Sequence, residues 1–530
     1  MNQLATREQV AQLFMVGFSG KSDGDHLGSL IEKHRFTSFI LFKRNAADAG
    51  SLAAMISEAR ARASSLGLPT LLFAADEEGG LISPLGSLVG RLPSAMALAA
   101  GGSPDRARRS ASLVGTGLKG MGLDLVLAPV LDVNSRPENP VIGTRSFGDD
   151  PGLVAEMGAA VIAGFRSAGL ACCAKHFPGH GGTSEDSHKT LPVLRTPFVT
   201  LEARDLTPFK RAFALGVEAA MTAHVAYPEI DDGLTRPATI SGRIQTDLLR
   251  GKMGFHGALL SDSVEMKGLA NALAAEDACV EALRAGVDLF VCVDPDLALR
   301  CVRHLERALD GGGIASEAVN RALSNVAYLK KRSSELARAA GTEWRESPMR
   351  SALQAVLDEC YAASITLVGC KAGDLKRLLD GVKRGLFVLP NGLPGYGETD
   401  VRVLERSLSA HGYGGRWRAL QYPFDPTEEE INHVVSEAGS VDGIVVCTLS
   451  RGPEPPGQLG LAGALLETGR TRVGVALLDP YGLARAFPGD LPGIASYGFW
   501  PECLKALAGA IFGPSPAGGS LPIDIKRAGC

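Results

Sequence analysis

Long apolar runs are missing from this sequence. No stretch reaches the roughly 18–20 consecutive apolar residues that cross a bilayer as a helix, so no membrane partner is expected. The first residues, MNQLATREQVAQLFMVGF, carry Arg7 and Glu8 where a secretory signal would have a continuous apolar stretch, and read as no leader. Cysteine is sparse, at 10 in 530 residues, and no two are spaced C-x-x-C. That argues against a thiolate metal site or a disulfide framework, and the adjacent Cys172 and Cys173 read as buried thiols of a reduced, cytoplasmic protein. Neither sign of charge dominates: 54 Lys and Arg stand against 58 Asp and Glu, a net charge of −4. A nucleic-acid partner held by bulk charge is therefore excluded. A phosphate loop, a dinucleotide fingerprint, an H-E-x-x-H motif and internal repeats are all absent.

What is present is ordinary globular composition, 45% apolar and 21% charged, which rules out a largely disordered chain. The length exceeds the roughly 250 residues of a typical (β/α)₈ barrel, so a barrel plus a smaller domain is expected. The 64 glycines suit many tight strand–helix turns. Short apolar runs at Phe39–Phe42, Leu71–Ala75, Leu123–Pro129, Ala171–Lys175, Ala219–Ala223, Ala258–Ser261 and Val287–Val291 alternate with amphipathic stretches such as Asp48–Ala63 and Pro151–Ala168. A further run near Leu13–Gly17 makes an eighth candidate strand. Strand–helix–strand alternation implies parallel strands with helical crossovers, and this many units favours a barrel over an open sheet.

The pattern breaks at AAGTEWRESPMRS, of mixed charge with a glycine and a proline. The chain therefore divides into a (β/α)₈ TIM-like barrel over residues 1–340, a linker over 341–352, and a C-terminal α/β domain over 353–530. Runs at Ile365–Val368, Leu386–Leu389, Ile444–Leu449, Val473–Leu478 and Ile494–Tyr497 give that domain a mainly parallel sheet of about five strands.

Seven of the eight candidate barrel strands end near a polar group: Lys43-Arg44, Asp76-Glu77-Glu78, Asp132, Lys175-His176, His224, Asp262 and Asp294. C-terminal strand ends ring one mouth of such a barrel, where active sites sit. The richest stretch is Lys175–Pro192, KHFPGHGGTSEDSHKTLP. There Asp186 lies two residues before His188, close enough in a turn for the carboxylate to hold one ring nitrogen and raise the basicity of the other. His176, His180, Asp186 and His188 are also metal-ligating types. The ammonium of Lys175 beside them opposes a cation, so no metal and no cofactor are expected. Asp262 ends its strand as a candidate nucleophile, base or electrostatic stabiliser, while Glu265 is expected to point away from the barrel axis. Asp76 is a candidate hydroxyl ligand, Asp132 an orienter of basic neighbours, and Arg145 a substrate clamp. A ring of mixed sign with few aromatics suits a small carbohydrate, the one partner expected besides further copies of the chain.

These segments resemble glycoside hydrolase family 3, in particular its β-N-acetylglucosaminidase branch. The resemblance runs from about Glu8 to Pro522 and rests on FILFKRN, AADEEGG, APVLDVN, GTRSF, KHFPGHG-x4-DSH-x2-LP, MTAHVAYP, LLSDSVEMKG and FGPSPAGGSLPI. It implies a retaining, two-step mechanism through a covalent glycosyl-enzyme. Asp262 then corresponds to the nucleophile and His188, with Asp186, to the acid/base. Asp76, Arg145, Lys175, His176 and His224 correspond to sugar ligands. The expected substrate is a terminal N-acetylglucosamine on small glycans or on cell-wall fragments, as in peptidoglycan recycling. A β-glucosidase or β-xylosidase whose acid/base is a Glu of the second domain fits the DSH triplet less well. A phosphorylase using the same site stays open, because a neutral base does not repel phosphate. A non-catalytic sugar-binding module would not need Asp262, Asp186 and His188 together. Leu81 stands where the family commonly has Arg, and Ser263 where it often has a second Asp; the second domain carries no matched catalytic residue.

Overall fold

The computed structural model of the chain describes residues 6–20, 25–340, 346–513 and 517–529. They form two compact units: Met1–Leu92 with Ala107–Val133 and Pro151–Gln354, and Pro93–Arg106 with Asn134–Asp150 and Ala355–Cys530. Of the stretch read as a linker, residues 341–345 lie outside the described residues, and Glu346 opens a helix running to Ser364.

The first unit is an eight-stranded parallel barrel. Its strands are β1 (Phe14–Val16), β2 (Ser38–Leu41), β3 (Leu72–Ala75), β4 (Leu125–Val126), β5 (Ala171–Phe177), β6 (Ala219–Thr222), β7 (Ala258–Leu260) and β8 (Phe290–Cys292). Each pairs in parallel with its sequence neighbours, and β1 also pairs with β8. One parallel bridge, Leu260 to Leu289, closes the ring between β7 and β8. The strands are buried throughout, which is why they read as continuous apolar runs rather than as alternating ones.

Amphipathic helices cross between the strands, as the spacing requires. Ala49–Ser65 begins at Asp48, whose carboxylate accepts the Ser51 amide at 2.9 Å and satisfies one of the helix's orphan N–H groups. Pro151–Ser167 turns Val154, Met157, Val161, Ile162 and Phe165 inward. The last helix of the unit, Ser316–Ala340, adds Val326 and Leu329 to the barrel core. It is pinned to residues just before strands: Lys330 Nζ donates to Thr37 Oγ1 at 2.7 Å, and Asn325 to Asp288 Oδ1 at 3.0 Å.

The barrel interior follows the two-residue period of a strand. Leu72 and Ala74, Ala171 and Cys173, Ala219 and Met221, Ala258 and Leu260, and Leu289 and Val291 belong to one buried cluster. One further step along three of these strands reaches Asp76, Lys175 and Asp262.

The second unit holds a six-stranded sheet in the order β13-β10-β14-β15-β16-β9. Its strands are β9 (Thr366–Val368), β10 (Gly385–Pro390), β13 (Trp417–Tyr422), β14 (Gly443–Thr448), β15 (Thr471–Ala476) and β16 (Gly493–Ala495). β11 (Gly392–Leu393) and β12 (Gly397–Glu398) make a separate antiparallel pair. All neighbours in the large sheet are parallel except β16 and β9. The sheet has one strand more than the sequence reading gave. That strand, β13, lies at the edge and is only partly buried, so WRALQY carries no apolar run to announce it.

Candidate active site

Lys175 reaches the barrel mouth between two carboxylates. Its ammonium lies 2.6 Å from Asp76 Oδ1 and 2.6 Å from Glu78 Oε1, with only 2% of its side chain exposed. A cation so deeply buried requires paired partners, and the two acids of AADEEGG supply them. Between them Glu77 turns the other way: it accepts the Ser83 hydroxyl at 2.7 Å and the Leu85 amide at 2.5 Å. Burial pushes its carboxyl up to about 7 against the pull of those bonds and of Arg91.

Asp132, fully buried, gathers the next group. It accepts the His176 ring Nδ1 at 2.7 Å, the His176 amide at 3.2 Å and the His180 amide at 2.6 Å. Burial works to raise its carboxyl, but His176 and His180 outweigh it and hold the group below the usual carboxylate range. With Nδ1 of His176 so committed, its ring orientation is fixed and Nε2 is the nitrogen offered elsewhere.

Asp262 follows β7 and accepts the Ser263 amide at 2.7 Å. Burial would raise its carboxyl as well. His176, His224, the Ser263 amide and Lys175 together hold it lowered instead, and so ionised at neutral pH. His224, wholly buried, bonds Thr239 Oγ1 at 2.8 Å through Nδ1 and the Ser263 carbonyl at 3.0 Å through Nε2. Burial lowers its own protonation range, which favours the neutral ring. Ser263 donates to Glu265 Oε2 at 2.7 Å. Glu265 also accepts the Val293 and Asp294 amides at 2.9 and 2.6 Å, tying the Asp262 loop to the end of β8.

The Asp186–His188 pair forms as its spacing allows. Asp186 Oδ1 accepts both the His188 amide and its ring Nδ1, each at 2.9 Å. Unlike the groups above, His188 is open, with 56% of its side chain exposed. With Nδ1 held by Asp186, Nε2 is the ring nitrogen left for other partners.

Asp76, Lys175, His176, His224 and Asp262 thus belong to one polar cluster above the barrel core, and Asp186 and His188 stand together on the loop after β5. Arg145 belongs to the second unit, where it ends the short turn Gly143–Arg145 and donates to the Val141 carbonyl at 3.2 Å. Three roles were missed from sequence, namely Glu78 on Lys175, Glu265 as an anchor, where it was expected only to point away from the barrel axis, and His180, weighed there only as a metal ligand. The acidic run DEE was a signal for the first; nothing local marks the others. Among the described residues, no three His, Cys, Asp or Glu side chains are arranged to hold a metal ion.

An ionised carboxylate beside imidazoles, with a carboxylate-held imidazole on a neighbouring loop, is equipped for nucleophilic and acid–base work at a sugar. The chain resembles several proteins of named activity. The chain is 28% identical to a β-N-acetylglucosaminidase/β-glucosidase of Cellulomonas fimi, covering 98% of this chain and 94% of that protein. It is 26% identical to β-hexosaminidase A of Pseudoalteromonas piscicida over 99% of this chain and 98% of that one. A solved glycoside hydrolase family 3 β-N-acetylglucosaminidase from Paenibacillus sp. str. FPU-7 superposes with a TM-score of 0.89 at 30% identity, over 99% of both chains. The family profile described as glycosyl hydrolase family 3 N terminal domain matches residues 5–329, more than half the chain. With that match and the barrel-mouth carboxylate in place, this chain belongs to glycosyl hydrolase family 3.

Proposed function

We propose that the protein is a retaining exo-β-N-acetylglucosaminidase that releases terminal N-acetylglucosamine from small glycans or cell-wall fragments, as in peptidoglycan recycling. The observation that carries the reading is the Asp186–His188 pair, a carboxylate-oriented imidazole 2.9 Å from its partner and open to an incoming substrate. In the first step His188 Nε2–H protonates the glycosidic oxygen while Asp262 attacks the anomeric carbon and the leaving alcohol departs. In the second, His188, now neutral, takes a proton from water, which displaces Asp262 and regenerates the carboxylate. The depressed acidity range of Asp262 keeps it ionised for attack. Asp76, Lys175 and His176 hold the sugar, with Arg145 as a further ligand, while His224, its ring nitrogens taken by Thr239 and the Ser263 carbonyl, acts from behind by steadying the segment of Asp262. The free thiols, eight of the nine described cysteines being buried, support a reduced, cytoplasmic setting.

A panel of nitrophenyl β-glycosides assayed with and without phosphate tests the substrate and the acceptor together. The N-acetylglucosaminide turns over fastest, and phosphate leaves the rate and the released sugar unchanged. A sugar 1-phosphate as the main product overturns hydrolysis in favour of phosphorolysis. In the same assay His188→Ala loses much less with an acidic leaving group than with a basic one, because protonation is then hardly needed. Equal losses refute the acid role. The Cellulomonas fimi relative is a β-N-acetylglucosaminidase/β-glucosidase, which favours activity on glucosides as a second reading; the same panel decides it.

A further inference from the structure

Ser187, the residue between the two members of the dyad, differs sharply from its neighbour. Its exposure is 1%, whereas more than half of the His188 side chain is exposed. It is gripped from two sides. Its hydroxyl meets His180 Nε2 at 2.9 Å, and His180 is itself fixed by Thr183 Oγ1 at Nδ1, 3.0 Å, and by Asp132 at its amide, 2.6 Å. Its carbonyl accepts the Gly268 amide at 2.9 Å. Gly268 stands six residues after Asp262 in the same segment, LLSDSVEMKG.

The close approach at Gly268 depends on the missing side chain. A Cβ there would lie 2.8 Å from the Ser187 carbonyl oxygen, 3.0 Å from that of His224 and 3.1 Å from that of Thr190. All three are backbone atoms, which cannot rotate aside, so the loop would have to move. Gly268 has no left-handed backbone to explain its identity; the space alone demands glycine.

We infer that Ser187 and Gly268 are positioning residues that register the acid/base His188 against the nucleophile Asp262. The His188 imidazole bonds Asp186 of its own loop and is otherwise largely exposed, so it is the buried residue beside it that ties the loop to the rest of the barrel. One tether runs through His180 to the Asp132 group, and the other through Gly268 to the nucleophile segment. This rests on the reading of His188 as acid/base.

The experiment measures kcat and KM of Ser187→Ala, Gly268→Ala and His188→Ala on aryl N-acetylglucosaminides whose leaving groups range from dinitrophenol to phenol. Displaced general acid catalysis hurts poor leaving groups most, and misplacement on the order of an ångström costs about 10²-fold. Ser187→Ala and Gly268→Ala are expected to lose at least about tenfold more kcat with phenol than with dinitrophenol, KM moving little. A purely structural defect lowers both substrates alike. Either variant losing the same factor on both, or losing none, while His188→Ala remains leaving-group dependent, overturns the tether and leaves the acid/base reading standing. A flat response of His188→Ala overturns that reading and the tether with it. Ser187→Ala removes a single oxygen atom and serves as the test should Gly268→Ala fail to fold.

Discussion

Asp132 lies 2.7 Å from the ring Nδ1 of His176, a fully buried carboxylate paired with a nearly buried imidazole across 44 residues of chain. The same carboxylate takes the backbone amide of His180, so one side chain sets the path of the KHFPGHG segment.

Asp132→Asn is expected to lower stability by about 3–5 kcal/mol, the usual scale for breaking a buried pair. The native carboxyl is held below its ordinary range, so its contribution is complete above about pH 3.9, the unfolded value, and fades as pH falls through the native one. Denaturant unfolding of the wild type and variant at pH 7 and pH 3 checks this. The gap between them narrows at the lower pH.

Lys175→Met removes the ammonium 2.6 Å from Glu78, a carboxylate only 3% exposed. The single variant is expected to lose on the order of 3–5 kcal/mol. The double variant Lys175→Met/Glu78→Gln recovers a sizeable part, because the buried charge that faced the ammonium is gone. A double-mutant cycle by thermal melts measures the coupling, and strict additivity contradicts the pairing.

Glu77 has its carboxyl pushed up to about 7 by burial. Between about pH 4.3 and that value the unfolded chain gives up the proton and the native one keeps it, so stability falls as pH rises. Glu77→Gln removes this dependence. Its stability relative to wild type is expected to rise by up to a few kcal/mol across that window, at about 1.4 kcal/mol per unit, and to level off above it. Melting temperatures at half-unit pH steps read the curve.

Lys330, buried at the opposite end of the strands from the site, has its ammonium brought down to about 7 by burial against the pull of Asp124. Above that pH the native chain releases a proton that the unfolded chain holds to about 10.4, so this group adds stability as pH rises. Lys330→Met does not share the gain. The wild-type stability minus that of Lys330→Met is expected to grow between pH 7 and 10, measured by urea unfolding. A constant difference contradicts the shifted ammonium.

Much of the barrel was legible because its signals are local. Buried parallel strands are short apolar runs, and the period of two carries Leu72 and Ala74 on to Asp76, Ala171 and Cys173 on to Lys175, and Ala258 and Leu260 on to Asp262. The Asp186–His188 bond spans two residues and was readable for the same reason. Glu78 on Lys175, Glu265 on the amides after β8, and His180 on Ser187 were not. Their partners come from other strands or from loop closure, where residue type narrows the choice but does not make it. The edge strand β13 escaped because half-exposed strands need no apolar run.

By itself, then, the sequence determined the order of strands and helices, the inward phase that brings Asp76, Lys175 and Asp262 to one mouth, and the dyad within one turn. Only the tertiary structure decided which charges meet. It set Lys175 between two acids, gave Asp132 to His176, and drew Gly268 against Ser187. Periodicity is a property of neighbouring residues, whereas pairing in a closed barrel depends on register between strands far apart in the chain, and on the backbone spacing that a single missing Cβ allows.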